Sequence, residues 1–401
     1  MTHPVVLGLG GTVDFELRWD AAVLAALAAE FDIRTVELGG ERPIRSERDL
    51  VVSVLSFLDR GMGGERFVAS SELLVAFAER FGYAITLGGT GVRAGLAALL
   101  LGVPSTQHLV SIDDHVRRLL PDGIDAICSA DSDTTDPHLI VQYPAGARIP
   151  LADGVVATTR SDRLIYVNDP PNRELVLSDQ LADALSTASL FLVSGFNSMQ
   201  DRELLETRVR ELRAAMRALP DDALVLFEDA GYHRPAFGPA VLAGLAGGID
   251  VYSLNEDELR ARVGHPVDLL AADEVAAALD ELRSTAPAPV IVLHTGRYAA
   301  VTGPEPERWL PIVEGGVVMS GARYLHGDAM TADHLRELAA SGRRSEAGRA
   351  LVEALASRTG SRVLGVPAFD LETASPTTIG LGDTFVGGMV AAFELERRAR
   401  G

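Results

Sequence analysis

The chain is 401 residues long, 47% hydrophobic, with a formal net charge of −20. The length allows more than one domain or one large α/β unit with an insertion, and the apolar content supports a well-buried core. The charge argues against binding nucleic acid or anionic lipid through a broad basic surface; all 36 basic residues are arginine, so no Walker A, protein-kinase or Schiff-base lysine exists here.

Met1-Thr2-His3-Pro4 lacks a basic n-region, and the following Val5–Leu9 reads as a first strand, not a signal peptide. No apolar run reaches the ~18 residues that cross a bilayer. Gly8-Leu9-Gly10-Gly11-Thr12-Val13-Asp14 then places a carboxylate just past that strand, able to accept bonds from neighbouring sugar hydroxyls; a turn aspartate is the plain alternative. Residues 15–60 are helical and charged, with one strand-like run at Ile33–Leu38. A helix is expected at Leu73–Phe81, a strand at Ala84–Leu87 and a helix at Val92–Leu101. Between the last two, Gly89-x-Gly91-x-x-Ala94 satisfies a relaxed dinucleotide fingerprint, with Asp113 and Asp114 downstream. That supports a rival class, an NAD-linked oxidoreductase, although Gly88 and Gly89 equally allow the backbone to approach a sugar. The single cysteine, Cys128, excludes an internal disulfide, fits a reducing cytoplasm and reads as core.

Residues 138–177 are dense in strand pattern (His138–Tyr143, Gly154–Thr159, Leu164–Val167), which suggests a small inserted sheet, either a lid or a sheet extension. Strands at Leu190–Ser194, Leu224–Glu228, Val251–Leu254 and Val290–His294 alternate with helices such as Asp201–Ala218 and Val275–Arg283. Such alternation predicts a mostly parallel sheet wrapped by helices, with ligands beyond the carboxyl ends of the strands. Asn255 and Glu258 form a capping-box signature, yet Glu256, Asp257 and Glu258 at a strand end also offer hard oxygen ligands suited to Mg²⁺. His294-Thr295-Gly296-Arg297-Tyr298 presents an imidazole, a hydroxyl and an aromatic ring that can cradle a purine. Last, Gly380-Leu381-Gly382-Asp383 opens an amphipathic helix carrying Phe385, Val386, Met389, Val390 and Phe393 on one face. Glycines that free backbone amides, together with a helix N-terminus, make an anion hole, and Asp383 beside it is placed to accept a proton from a hydroxyl attacking a phosphoryl group. An ordinary N-terminal aspartate after a Gly-rich turn is the alternative.

Taken in order, Gly10–Asp14, Gly88–Gly91, Asp136–Gly146, Arg160–Asp169 with Pro170–Glu174, Ser194–Asp201, Asn255–Glu258, His294-Thr295 and Gly380–Phe385 resemble the motifs of the ADP-dependent glucokinase/phosphofructokinase family, a branch of the ribokinase superfamily. The resemblance implies an α/β ribokinase-like core with a mostly parallel central sheet and a small inserted α/β lid. On that reading residues 1–14, 61–137 and 173–401 form the core, and 15–60 with 138–172 form the lid. It implies Mg²⁺ and a nucleotide donor, ADP or ATP, with a sugar or sugar phosphate as acceptor, such as glucose or fructose 6-phosphate. No nucleic-acid or membrane partner is expected, and the chain would act in the cytoplasm as a monomer or small homo-oligomer. Asp383 carries over as catalytic base, the amides of Gly380, Leu381 and Gly382 as anion hole, and Glu258 with Asn255 and Glu256 as metal-organising residues. Asp14, Gly88, Gly89 and Glu65 map to the acceptor pocket, and Arg163, His294 and Thr295 to the nucleotide. Where relatives more often show Asn near the first Asp, this chain reads Gly-Gly-Thr-Val-Asp, and with no lysine for a substrate phosphate Arg93 or Arg173 would stand in. A non-catalytic sensor of the same fold is the other reading.

Overall fold

The runs Val5–Leu7, Ser105–Leu109, Leu190–Val193 and Val290–His294 are buried at every position, as central parallel strands covered on both faces must be. The structure is a computed structural model describing residues 3–39, 42–286, 288–373 and 376–400. Its larger sheet has nine strands in the order Val363–Pro367, Tyr298–Thr302, Val290–His294, Val251–Asn255, Leu224–Glu228, Leu190–Val193, Val5–Leu7, Ser105–Leu109 and Ile124–Cys128. Eight run in one direction, and Tyr298–Thr302 runs antiparallel to both its neighbours. The chain leaves Val5–Leu7 toward one edge and later returns to its other side, which makes the carboxyl end of that strand a topological switch point, where open sheets of this kind bind ligands.

A second sheet has the order Gly64–Phe67, Asp162–Val167, His138–Tyr143, Thr12–Leu17 and Tyr83–Gly88. Strict alternation divides its residues. Val13, Phe15, Leu17, Leu139, Val141, Tyr143, Leu164 and Tyr166 enter a core shared with the helices Ala21–Glu30, Glu47–Arg60 and Ser71–Glu79. The opposite face is polar. Asp14 pairs in register with His138 and Thr86, Gln142 with Arg163, and Glu65 with Ile165, so these side chains share one surface.

Two local expectations change. Ile33–Leu38 is not a strand; Thr35–Glu37 is a 3-10 turn in which Glu37 caps the backbone of Arg34. Gly64–Phe67 and Tyr83–Gly88 belong to the smaller sheet, outside the 15–60 and 138–172 segments expected to build it. Gly154–Ala157 pairs with Arg148–Leu151 as a separate hairpin.

The helix Leu381–Arg400 packs against Thr90–Leu99 and Leu310–His326 through Gly387 and Gly388, which leave no room for a Cβ against Ala94 and Gly315. Glu394 on this helix is fully buried and bonded to Ser189, Arg397 and Arg398. This anchoring aims the N-terminus of the helix at the polar face of the smaller sheet. Among the described residues no helix is long and apolar enough to cross a membrane.

Candidate active site

Asp383 lies in the first turn of Leu381–Arg400. Thr90 Oγ1, at the start of Thr90–Leu99, donates to Asp383 Oδ1 at 2.8 Å and fixes its orientation. Gly380 precedes the helix at φ +67, a left-handed conformation that a side chain disfavours. A Cβ there would also lie 2.8 Å from Arg93 Cδ, so the glycine lets a guanidinium lie flat against the turn. The Gly380 turn thus packs directly against a buried cation. Thr378 donates to Gln142 Oε1 at 3.4 Å, tying the segment before the turn to that face.

Arg93 connects the Asp383 turn to Asp14. Its Nη2 is 2.8 Å from Asp14 Oδ2 and 3.5 Å from Glu16 Oε1, with only 6% of its side chain exposed. Burial works against the charge, but Asp14, Asp383 and Glu16 outweigh it, and the guanidinium pKa is raised. Asp14 also accepts from Thr12 Oγ1 at 2.7 Å. Gly88 has no space for a side chain, because a Cβ would collide with Thr12 Oγ1 and the Asp14 carboxylate. Gly89 sits at φ +88, with any Cβ 2.9 Å from Gly11 Cα. The glycine pair therefore seats Asp14 as well as opening the backbone. Gly88→Ala is expected to cost ~1–3 kcal/mol of stability through overpacking, measured by denaturant melts, and to weaken acceptor binding by displacing that carboxylate.

Two more acidic groups face the same cleft. His138 Nε2 is 2.9 Å from Asp169, whose other bonds hold Asn172 against the carbonyl of Gly11. Burial alone would keep His138 neutral; Asp169, with Asp14 and Glu65 behind it, raises its pKa to about 9, so it is a cation at neutral pH. Glu65 bonds His233 Nε2 at 3.0 Å, and Phe67 packs on the same imidazole at 4.4 Å, joining the two sheets across the cleft. Arg163 stands exposed at the outer end of the polar face, beside Gln142 and 378–380. Arg173 lies over the Phe67 ring at 6.0 Å.

The acidic segment lies on the other side of the Asp383 turn. Asn255 caps Glu256–Val263 through Asp257 and Glu258, and Glu258 Oε2 accepts from the Asn255 amide at 2.7 Å, so the capping box is formed. Glu258 is nonetheless 8% exposed and faces Glu228 and Asp229. Burial first, then the Glu228 charge, push its pKa up to about 8. Glu228, which the sequence reading placed only at the end of a strand, bonds His294 Nε2 through Oε1 at 3.0 Å, while its buried Oε2 has no partner. His294 is cross-strand neighbour to Asn255, stacks on Phe385 at 4.5 Å, and lies 3.5 Å from where a Cβ of Gly382 would be. Burial disfavours its charge, but Glu228, Glu258 and Glu256 raise its pKa.

Two sequence expectations fail here for identifiable reasons. Tyr298 is fully buried in the core, so its ring is not offered to a ligand, while Thr295 stays partly exposed at the 295–298 turn that its hydroxyl holds. The dinucleotide fingerprint follows Tyr83–Gly88, but that strand is antiparallel to Thr12–Leu17 in the smaller sheet, so there is no parallel βαβ unit. Asp113 is spent capping Asp114–Leu119 and accepting from Thr135. The NAD-linked reading is dropped.

The chain resembles, over its full length, an ADP-dependent phosphofructokinase described as hypothetical from Pyrococcus horikoshii OT3, at 16% identity with a TM-score of 0.78, each chain covered completely. The ancestral ADP-dependent phosphofructokinase of Methanosarcinales gives 15% and 0.74 over 98% of this chain and 93% of that one. An ADP-dependent kinase solved with fructose-6-phosphate and ADPβS gives 14% and 0.73, over 98% and 94%. At these identities the likeness establishes the α/β fold these proteins share. No curated protein sequence matches. The profile described as ADP-specific Phosphofructokinase/Glucokinase conserved region matches residues 3–301, three-quarters of the sequence, and the chain therefore belongs to that family of ADP-dependent sugar kinases.

Proposed function

We propose that the protein transfers the terminal phosphoryl of ADP to a hydroxyl of a sugar or sugar phosphate bound on the polar face of the smaller sheet. The observation that carries this is the meeting of Asp383, the Gly380 turn and Asp14 around Arg93. Asp14 and His138 orient the acceptor, Glu65 meets a further hydroxyl, and Arg173 takes the phosphate of a phosphorylated acceptor. Asp383 accepts the proton as the oxygen–phosphorus bond forms and AMP leaves. An aspartate suffices for this, because a loose phosphoryl-transfer transition state loses the proton late. The amides of Gly380, Leu381 and Gly382 meet the charge on the moving group. Arg163 reaches the donor phosphates from the sheet edge, and His294 borders the nucleotide. We assign the smaller sheet with its helices as a lid that excludes water when the acceptor is bound.

Mg²⁺ fits the acidic corner. The unpartnered Glu228 Oε2 and the raised Glu258 both mark carboxyl groups short of positive charge. Among the described residues no three His, Cys, Asp or Glu converge as a metal cage, and Mg²⁺ characteristically keeps several waters and few carboxylates. Glu258 and Glu228 would hold it directly or through water, with Glu256 nearby and Asn255 fixing the turn. Bound there, it would neutralise charge on the donor phosphates. The lone cysteine fits a cytoplasmic kinase.

A coupled phosphoryl-transfer screen crossing ADP and ATP with glucose, fructose 6-phosphate and other sugars tests the reading. Transfer from ADP to at least one acceptor is expected. Ligand binding without transfer to any acceptor would leave the sensor reading standing instead.

A further inference from the structure

Asp14 and Glu16 pair with one guanidinium, and the charge of Asp383 lies near enough to act on it as well, in a chain whose net charge is −20. A buried arginine needs one carboxylate to be satisfied, so this surplus of negative charge is not explained by packing alone. The three arrive from two separate elements, Thr12–Leu17 and Leu381–Arg400, and Arg93 comes from a third, Thr90–Leu99. Thr86 donates to Glu16 at 2.6 Å and Thr90 to Asp383, so neutral hydroxyls supply the remaining bonds. Beyond them, His138 faces Asp14, and Arg323 bonds the carbonyl of Ile379 while pairing with Asp328. Arg93 is thus the cation in contact with Asp14 and the Gly380 turn together.

We propose that Arg93 is the positioning residue of the phosphoryl-transfer centre: its guanidinium clamps the acceptor carboxylate Asp14 beside the turn that carries the base Asp383 and supplies the positive charge between them. This rests on the kinase reading above. Two carboxylates sharing a dry cleft repel, and without a cation one of them takes up a proton. Asp383 must be free of that proton to receive one from the acceptor, and Asp14 must be free of it to accept hydroxyl bonds. The arginine fork meets both demands from one fixed position, which a lysine cannot copy because its charge is a single point.

The test is the pH profile of kcat/KM for the wild-type chain, Arg93→Met and Arg93→Lys, alongside the titration of ¹³C-labelled aspartates assigned with Asp14→Asn and Asp383→Asn. In Arg93→Met the acid limb is expected to rise by about 1–3 pH units, with activity recovering toward high pH. Arg93→Lys should hold most of the limb but raise the acceptor KM. A merely structural role would lower activity at every pH and leave the limb in place, and a folded Arg93→Met with an unmoved limb overturns the inference. Should Arg93→Met not fold, Arg93→Met in the Asp14→Asn background removes the buried pair together. Its acid limb is then expected above that of Asp14→Asn alone, and coincidence of the two profiles overturns the inference equally. A wild-type chain that transfers nothing defeats the kinase reading, while the ¹³C titration of Asp383 with and without Arg93 still decides this one.

Discussion

Asp383→Asn should lower turnover by about 10²–10⁴ while the rise in melting temperature produced by ADP persists. The separation follows from what each part of the helix start contributes. Asparagine keeps the volume of the side chain and can still accept from Thr90 Oγ1, now 2.8 Å from Asp383, so the turn should not move. The amides of Gly380–Gly382 and the helix dipole, which face the donor, are untouched by the change. What disappears is the group that takes the proton. The change also removes a negative charge that acts on Arg93, so the variant's own melting temperature is measured with the kinetics. Wild-type turnover in Asp383→Asn would remove the assignment of the base, and loss of the ADP response would show that the side chain serves binding instead.

The large parallel sheet was legible because its strands are apolar on both faces and separated by helices with clear caps. Asp201 caps Arg202–Ala215 as its sequence suggests, and Asn255 with Glu258 forms the capping box read from spacing. The smaller sheet was harder. Thr12–Leu17 and Tyr83–Gly88 pair antiparallel across some seventy residues, and nothing local distinguishes an inserted strand from one of the main sheet. Tyr298 misled for a related reason: Tyr298–Thr302 is buried throughout, so its first aromatic ring belongs to the core even though it stands next to a cleft residue.

Site residues divide in the same way. Asp383 and Asp14 could be singled out because each closely follows a glycine pattern, and Glu258 because it lies in the first turn of a helix that follows a strand, and local chain geometry decides where such groups point. Their partners come from far along the chain: Thr90 is 293 residues from Asp383, and Arg93 is 79 from Asp14. Arg93 was legible only as a spare cation for a substrate phosphate; its ion pair with Asp14 is a tertiary fact. Glu228 carried one signal that was passed over, a carboxylate as the last residue of a parallel strand at the ligand edge. Burial without a full set of partners is what gives it chemical weight, and burial of that kind is set by packing.

Glu258→Gln should abolish the additional thermal stabilisation that Mg²⁺ adds to ADP, and it should also flatten the dependence of stability on pH. Glu258 has its pKa pushed up to about 8 in the folded chain by burial and by Glu228, against its ordinary value of 4.5. Between those values the folded state holds a proton that the unfolded state has released, so the unfolded state binds fewer protons. Stability therefore falls as pH rises through this window, by at most about 1.4 kcal/mol per pH unit for one proton, and levels off above it. Glutamine carries no such proton, so the variant should lose that slope and be the more stable protein at pH 8.5 without metal. A divalent cation reverses the logic. It favours the carboxylate form, displaces the proton, and should stabilise the wild-type chain more at pH 8.5 than at pH 6. Melting curves of both chains at the two pH values, with ADP alone and with ADP and Mg²⁺, measure each effect. Equal slopes in the two proteins would show that the proton sits elsewhere, and an unchanged Mg²⁺ response in Glu258→Gln would move the cation away from this corner.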